Sequence, residues 1–325
     1  MATTADGHWS FVTIGNAVEV LSNRTLAPVV SGSVTVPGNP AGEQLTHDGR
    51  YLLIADDSGA AVIDVARAEN GAPNPLVGML SSPAGSGAIE VALSPDDHFA
   101  FVTLETSESL AVFNLQDALV HDFGTADFVG KVPLGIAPVG VTVSPNGRWI
   151  YATSESAGSQ SSAGTLTAID LSLAETSPPR AVAVTVTAGC SPVRVITSAD
   201  GSVVWVAARG SDALLAFSAT KLLSDPDHAL EVQLRVGEAP VGLALVREGR
   251  WIVVADSNRF SAKGAASNLA VVDTGAALDN RPALVGTIPT GLFPREMALI
   301  PETNILLVTN YLSAQVQALN LDNLS

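Results

Sequence analysis

Cysteine is nearly absent: Cys190 is the only one in 325 residues. A lone thiol excludes an intramolecular disulfide framework and any multi-cysteine zinc site. Basic residues are scarce as well, 16 against 32 acidic ones, and 16 − 32 gives −16. Nucleic acid is held through a basic footprint, so no nucleic-acid partner is expected. An anionic membrane surface is disfavoured for the same reason. No run of about 18 apolar residues occurs, which excludes a membrane-spanning helix. Met1 to Gly7 has neither a basic n-region nor an apolar h-region, so no signal peptide is expected. Both a secreted and a cytoplasmic location are compatible with this pattern. No segment holds a sustained helical period; Lys221–Leu223 is too short to count. Also missing are Gly-x-Ser-x-Gly, His-Glu-x-x-His, phosphate-loop and EF-hand patterns.

What is present is a repeated turn. It reads Asp6-Gly7-His8, Asp48-Gly49-Arg50, Asp96-Asp97-His98, Asn146-Gly147-Arg148, Asp200-Gly201-Ser202, Glu248-Gly249-Arg250 and Glu302-Thr303-Asn304. The central positions 7, 49, 97, 147, 201, 249 and 303 lie 42, 48, 50, 54, 48 and 54 residues apart. Asn, Asp and Gly tolerate positive φ and suit tight hairpin turns. Two residues on comes an apolar side chain: Trp9, Tyr51, Phe99, Trp149, Val203, Trp251 or Ile305. It opens a strand-like run, and the aromatic members read as inter-blade core because they repeat with the unit. About ten residues later a third strand follows, such as Leu110–Phe113 or Leu269–Val272. A fourth borders a Gly or Pro loop, as in Val182–Thr187, and the next strand follows the loop proline.

Each unit therefore holds four short antiparallel strands in roughly 48 residues. One such sheet has two apolar faces and cannot bury them alone; radial stacking of sheets can. The expected fold is all-β, a seven-bladed β-propeller forming a single domain over 1–325. Six blades with extra terminal strands is the alternative. The first unit is expected to lack a strand before Trp9, and the last to lack one after Leu321.

Val308-Thr309-Asn310 and the run Pro138-Val139-Gly140, then Ser144-Pro145-Asn146-Gly147-Arg148, resemble the YVTN-repeat β-propellers. That group includes lactonase-like seven-bladed propellers, similar to 6-phosphogluconolactonases and fungal carboxymuconate-lactonising enzymes. The resemblance spans essentially the whole chain and implies lactone hydrolysis or formation on a small carbonyl or carboxylated substrate. An isomerase or cyclase of secondary metabolism is a related expectation. A non-catalytic secreted scaffold for a protein or glycan is a different one, compatible with the sequons Asn23-Arg24-Thr25 and Asn323-Leu324-Ser325.

In a propeller enzyme the pocket usually lies at the channel mouth, opposite the Asp-Gly turns. His8, His47 and His98 fall in the turns, and His121 and His228 lie between third and outer strands. Histidine-based acid–base chemistry is therefore not expected at that mouth. The inner strands align as Gly42, Glu90, Gly140, Arg194, Gly242 and Glu296. Charges in an apolar strand cost several kcal/mol unless paired or wetted, so Glu90, Arg194 and Glu296 are the catalytic candidates. Arg194 would hold a carboxylate or an oxyanion, and a glutamate would act as base. The loops after the second strands add Asp56, Asp57, Glu105, Glu155, Arg209, Asp256, Asn258, Arg259, Asn310 and Tyr311, and Arg295 flanks the last inner strand. Of these, Arg209, Asp256, Asn310 and Tyr311 are the substrate-binding candidates. Cys190 precedes Arg194 but has no histidine to activate it. The chain is expected to be a monomer with a small-molecule substrate and no cofactor. A calcium-type divalent cation on Glu90, Glu296, Asp56, Asp256 and Asn310 is the alternative, opposed by the charge of Arg194.

Overall fold

In a computed structural model, all residues are described except Leu26, Gly85, Gln160, 261–265 and 324–325. The second sequon, Asn323-Leu324-Ser325, thus lies largely outside the described residues. Seven antiparallel sheets follow one another along the chain, the blades of a seven-bladed β-propeller. Within each, sequence order is also spatial order. Sheet three is representative, with strands Ala88–Leu93, Phe99–Leu104, Ser109–Asn114 and Phe128–Pro133. Among the described residues the last sheet has three strands, Pro294–Leu299, Ile305–Asn310 and Gln315–Asn320. The missing fourth strand agrees with the sequence. The first sheet does have a strand before Trp9, Ala2–Thr3, which pairs Ala2 with Phe11. Two residues are too few for any periodic signal.

The chain divides into two compact units, Met1–Ala152 with Thr167–Ala183, and Thr153–Leu166 with Val184–Ser325. In the first, apolar faces of neighbouring sheets interleave, for example Leu53, Val62 and Leu80 with Val91, Val102 and Phe113. In the second, Trp205, Leu214 and Val232 pack with Leu243, Ile252 and Val272. The repeating aromatic column is only half-buried in most blades. The fully buried bulk comes from Trp205, Tyr151, Phe11, Phe101, Phe113 and Phe217. Trp9, Tyr51 and Phe99 pack against the core clusters from their edge, and turn arginines lie over some members of the column: Arg50 over Tyr51 at 5.3 Å and Arg148 over Trp149 at 5.2 Å.

Five of the turns are built alike. The hydroxyls of Thr4, Thr46, Ser94, Ser144 and Ser198 donate to the side chain two residues on, at 2.5–2.8 Å. That oxygen accepts a second bond from the N–H two residues further. The N–H opening the next strand returns to the hydroxyl. The sixth and seventh turns have Val246 with Glu248 and Ile300 with Glu302 at these positions, and this box is missing there.

Among the described residues five short α-helices follow third strands, where the sequence suggested none: Val65–Glu69, Leu115–His121, Leu171–Thr176, Ala219–Ser224 and Thr274–Leu278. Each is capped by the last residue of the strand before it, Asp64, Asn114, Asp170, Ser218 or Asp273. Its side chain accepts from the N–H three residues on. Five to seven residues are fewer than two turns, so cap and packing stabilise them rather than periodicity.

Candidate functional site

The Asp-Gly turns mark one end of each sheet; the loops joining one sheet to the next lie at the other. All five histidines stand beside an aspartate and are exposed: His8 with Asp6, His47 with Asp97, His98 with Asp96, His121 with Asp117 and His228 with Asp225. The closest contact is that of His47, whose Nδ1 lies 2.6 Å from Asp97 Oδ1 while its backbone N–H donates to Oδ2. A cavity of about 420 Å³ borders the turns, lined by residues including Thr4, Asp6, Arg50, Tyr51, Asp64 and Glu69. None of the candidate site residues lines it.

The loop end is built differently. Four sheet-to-sheet loops share Gly-x-x-Pro, with the residue before proline in the left-handed region: Ala137, Ser191, Ala239 and Phe293, at φ 47–57°. Such φ values are costly for a residue with a Cβ, so these loops are held firmly by their surroundings. In several loops a glycine sits against the end of the second strand. A Cβ on Gly38 would overlap the Asp56 carboxylate, one on Gly237 that of Asp256, and one on Gly291 the side chain of Asn310.

In the first unit, Glu90 lies on the first strand of sheet three and is largely buried. Its N–H donates to Thr103 Oγ1 at 3.1 Å. The carboxylate occupies space that a side chain on Gly42 would fill. Asp56 is buried, and its Oδ2 accepts from Gly38 N–H at 3.2 Å. Burial raises its pKa, Gly38 pulls it back in part, and Asp57 raises it again. Asp57 itself is exposed, with Asn39 3.4 Å away.

In the second unit, Arg194 and Glu296 meet directly, Nη2 donating to Oε1. They stand on the first strands of sheets five and seven, with the strand Pro240–Val246 packed between. A Cβ on its Gly242 would overlap the Arg295 carbonyl. Arg295 Nε lies 3.7 Å from the same Glu296 oxygen. Burial would raise the Glu296 carboxyl, but Arg194, with help from Arg295, outweighs it and holds it below the usual carboxylate range. Glu296 is therefore ionised at neutral pH.

A second group adjoins through Arg295. Arg209 pairs with Glu155 at 2.6 Å and lies 5.7 Å from the centre of the Phe260 ring. Arg259 stands 5.4 Å from both the Phe260 and the Phe293 ring centres. Phe293 meets Tyr311 edge to face at 5.5 Å. Desolvation lowers the Arg259 pKa, and the charges of Arg209 and Arg295 add to this against Glu155. Phe260 and Phe293 escaped the sequence reading. Their signal was the Arg259-Phe260 and Phe293-Pro294-Arg295 runs in a chain with only nine phenylalanines.

Asp256 and Asn310 end second strands here, and both are buried. Asn310 Nδ2 donates to Gln317 Oε1 at 3.2 Å. Burial pushes the Asp256 pKa up to about 7, the Gly237 amide offsets part of this, and Asp212 adds to it. Cys190 ends the fourth strand of sheet four, and its N–H donates to Ser211 Oγ at 2.8 Å. Among the described residues no group of three His, Cys, Asp or Glu side chains is placed to hold a metal ion. Among them, too, no helix is long and apolar enough to cross a membrane.

A family model described as "Lactonase, 7-bladed beta-propeller" matches residues 25–263. The chain belongs to this lactonase family. Solved structures of similar fold include Kuenenia stuttgartiensis hydrazine synthase, 17% identical with a TM-score of 0.78, covering 98% of this chain and 94% of that one. The β-propeller domain of Myceliophteria thermophila Cps50 (Swd1) is 13% identical with a TM-score of 0.71, over 98% of this lactonase-family chain and 94% of the other. A functionally unknown protein from Desulfotomaculum acetoxidans is 13% identical with a TM-score of 0.62, over 88% and 83%. At such identities the likeness is one of fold. No curated protein matches this lactonase-family chain in sequence.

Proposed function

We propose that the chain is a lactonase-like enzyme that opens or closes a lactone on a small carbonyl or carboxylated substrate. The observation carrying this reading is the largely buried Arg194–Glu296 pair with Arg295 beside it, at the loop end of the second unit. A lactone carbonyl oxygen would accept from the Arg194 guanidinium, which stabilises the oxyanion formed as water attacks the carbonyl carbon. Glu296 is a weak base while Arg194 holds it. The developing oxyanion competes for the same guanidinium, so that hold slackens and the carboxylate moves toward the higher pKa that its burial favours. It then takes the proton of the attacking water. The carbonyl re-forms, the ring C–O bond breaks, and the proton passes to the departing alkoxide. Glu90, in the first unit, is a further candidate carboxylate with Gly42 making its space.

The test is Glu296→Gln, assayed by pH-stat against a panel of five- and six-membered lactones. The amide keeps the volume and some hydrogen bonds. Turnover should fall at least about a hundredfold, roughly 2.7 kcal/mol of transition-state stabilisation; the melting temperature should also fall, because the ionised carboxylate that Arg194 holds is lost, so turnover is compared at a temperature where circular dichroism shows the variant folded. Hydrolysis at the wild-type rate would overturn the assignment of Glu296. No turnover of any panel member by the wild type would favour a non-catalytic propeller that displays this surface.

A further inference from the structure

Arg194, Arg209, Arg259 and Arg295 are four of the chain's 13 arginines, in a protein whose net charge is −16. Two carboxylates, Glu155 and Glu296, serve them. Arg259 forms no ion pair among the described residues. It is held instead between two phenyl rings, beside two other guanidiniums that repel it. A planar guanidinium kept in place by ring faces retains its outward edge of N–H donors. An arriving carboxylate would be met by a fork and would relieve the repulsion between the neighbouring cations.

The rings point to the rest of the ligand. Phe260 is 65% exposed and Tyr311 61%, and Leu312 beside Tyr311 is equally open. Phe260 and Phe293 lie against the Arg259 guanidinium and the exposed Tyr311 adjoins through Phe293, so the surface has one apolar and one cationic part. A small saturated acid would use only the second; an aromatic acid uses both, since a ring can stack on or edge against Phe260 and Tyr311. We propose that Arg259 and Phe260, with Arg209 and Tyr311, form a recognition subsite for an aryl carboxylate. This rests on the proposed lactonase reading only in taking that acid to be part of the substrate; binding itself needs no turnover.

The test is calorimetric titration with benzoate, cyclohexanecarboxylate and acetate. Benzoate should bind at least tenfold more tightly than the other two, and all three should weaken with added salt. Arg259→Gln should weaken all three at least tenfold. Phe260→Ala should bring benzoate to the level of cyclohexanecarboxylate and leave acetate unchanged. Both residues are exposed, and circular dichroism with a melt checks that each variant folds. Equal affinity for benzoate and cyclohexanecarboxylate, or an Arg259→Gln variant that binds like the wild type, would overturn the proposal. Glu296→Gln keeps the two readings apart, since it should lose turnover yet bind benzoate normally. Turnover without benzoate selectivity defeats this subsite alone; selectivity without turnover defeats the lactonase reading alone.

Discussion

The two ends of the sheets use the same chain in opposite ways. At the turn end five turns repeat one hydrogen-bonded box, and each histidine stands beside an aspartate. At the loop end the sixth residues of the second strands in sheets two to seven are Asp56, Leu104, Ser154, Ala208, Asp256 and Asn310. Repetition of the first kind is what a packing requirement produces, since every blade meets the same demand. Variation in one blade at a time, with buried charge, carries a cost that stability alone does not explain. The difference separates residues that build the propeller from residues that distinguish this one.

That separation can be broken by experiment. The largest effect should come from Asp256. Its folded pKa near 7 lies above the unfolded value, so the folded state binds the proton more tightly. Its contribution is fully present below about pH 4 and is lost as pH rises through 7, at most about 4 kcal/mol. Thermal melts from pH 4.5 to 8 should show the wild type losing stability over that range, with Asp256→Asn flatter and more stable at pH 8. Equal slopes would place the strain elsewhere.

Next is the contrast between two glycines. Gly242→Ala meets the Arg295 backbone and should cost about 3 kcal/mol in urea unfolding. Gly49→Ala meets nothing within 4 Å and is strained only by its φ of 72°, about 1 kcal/mol. Equal costs would erase the distinction between loop-end crowding and turn-end openness. Ser94→Ala removes two bonds of the turn box and should cost about 1–2 kcal/mol, measured the same way. Smallest is His47→Asn, within about 0.5 kcal/mol for an exposed site, with any activity within a few-fold. A hundredfold loss of activity there would move the site to the turn end.

The seven turns were legible because a single residue pattern recurs at a nearly constant step. The helices were not, although their capping column, Asp64, Asn114, Asp170, Ser218 and Asp273, stood in plain sequence. A cap without a following period looks like any polar turn residue. Charge in the first-strand column pointed to Arg194 and Glu296, and the strand packed between them carries Gly242, where a side chain would meet the Arg295 backbone. The same column put Glu90 beside Gly42, a glycine yielding space to a carboxylate. The pairing of Arg259 with Phe293 was illegible. Phe260 is its neighbour in sequence, but its second ring, Phe293, comes alongside only through strands far apart in the chain.

The links between third and fourth strands vary in length, from six residues, 23–28, in the first sheet to thirteen, 115–127, in the third. The strand pairing on either side is alike in both. An insertion there changes nothing that the ladders depend on, because exposed connections absorb added length at little cost. For protein engineering this is an attachment edge. A fluorophore, affinity tag or grafted peptide spliced after Glu69 or Asp122 would hang from the end of a capped helix at the turn end of its own sheet, not from a loop that carries one of the four clustered arginines. Labelled protein could then report on ligand binding without the label standing among the ligand's contacts.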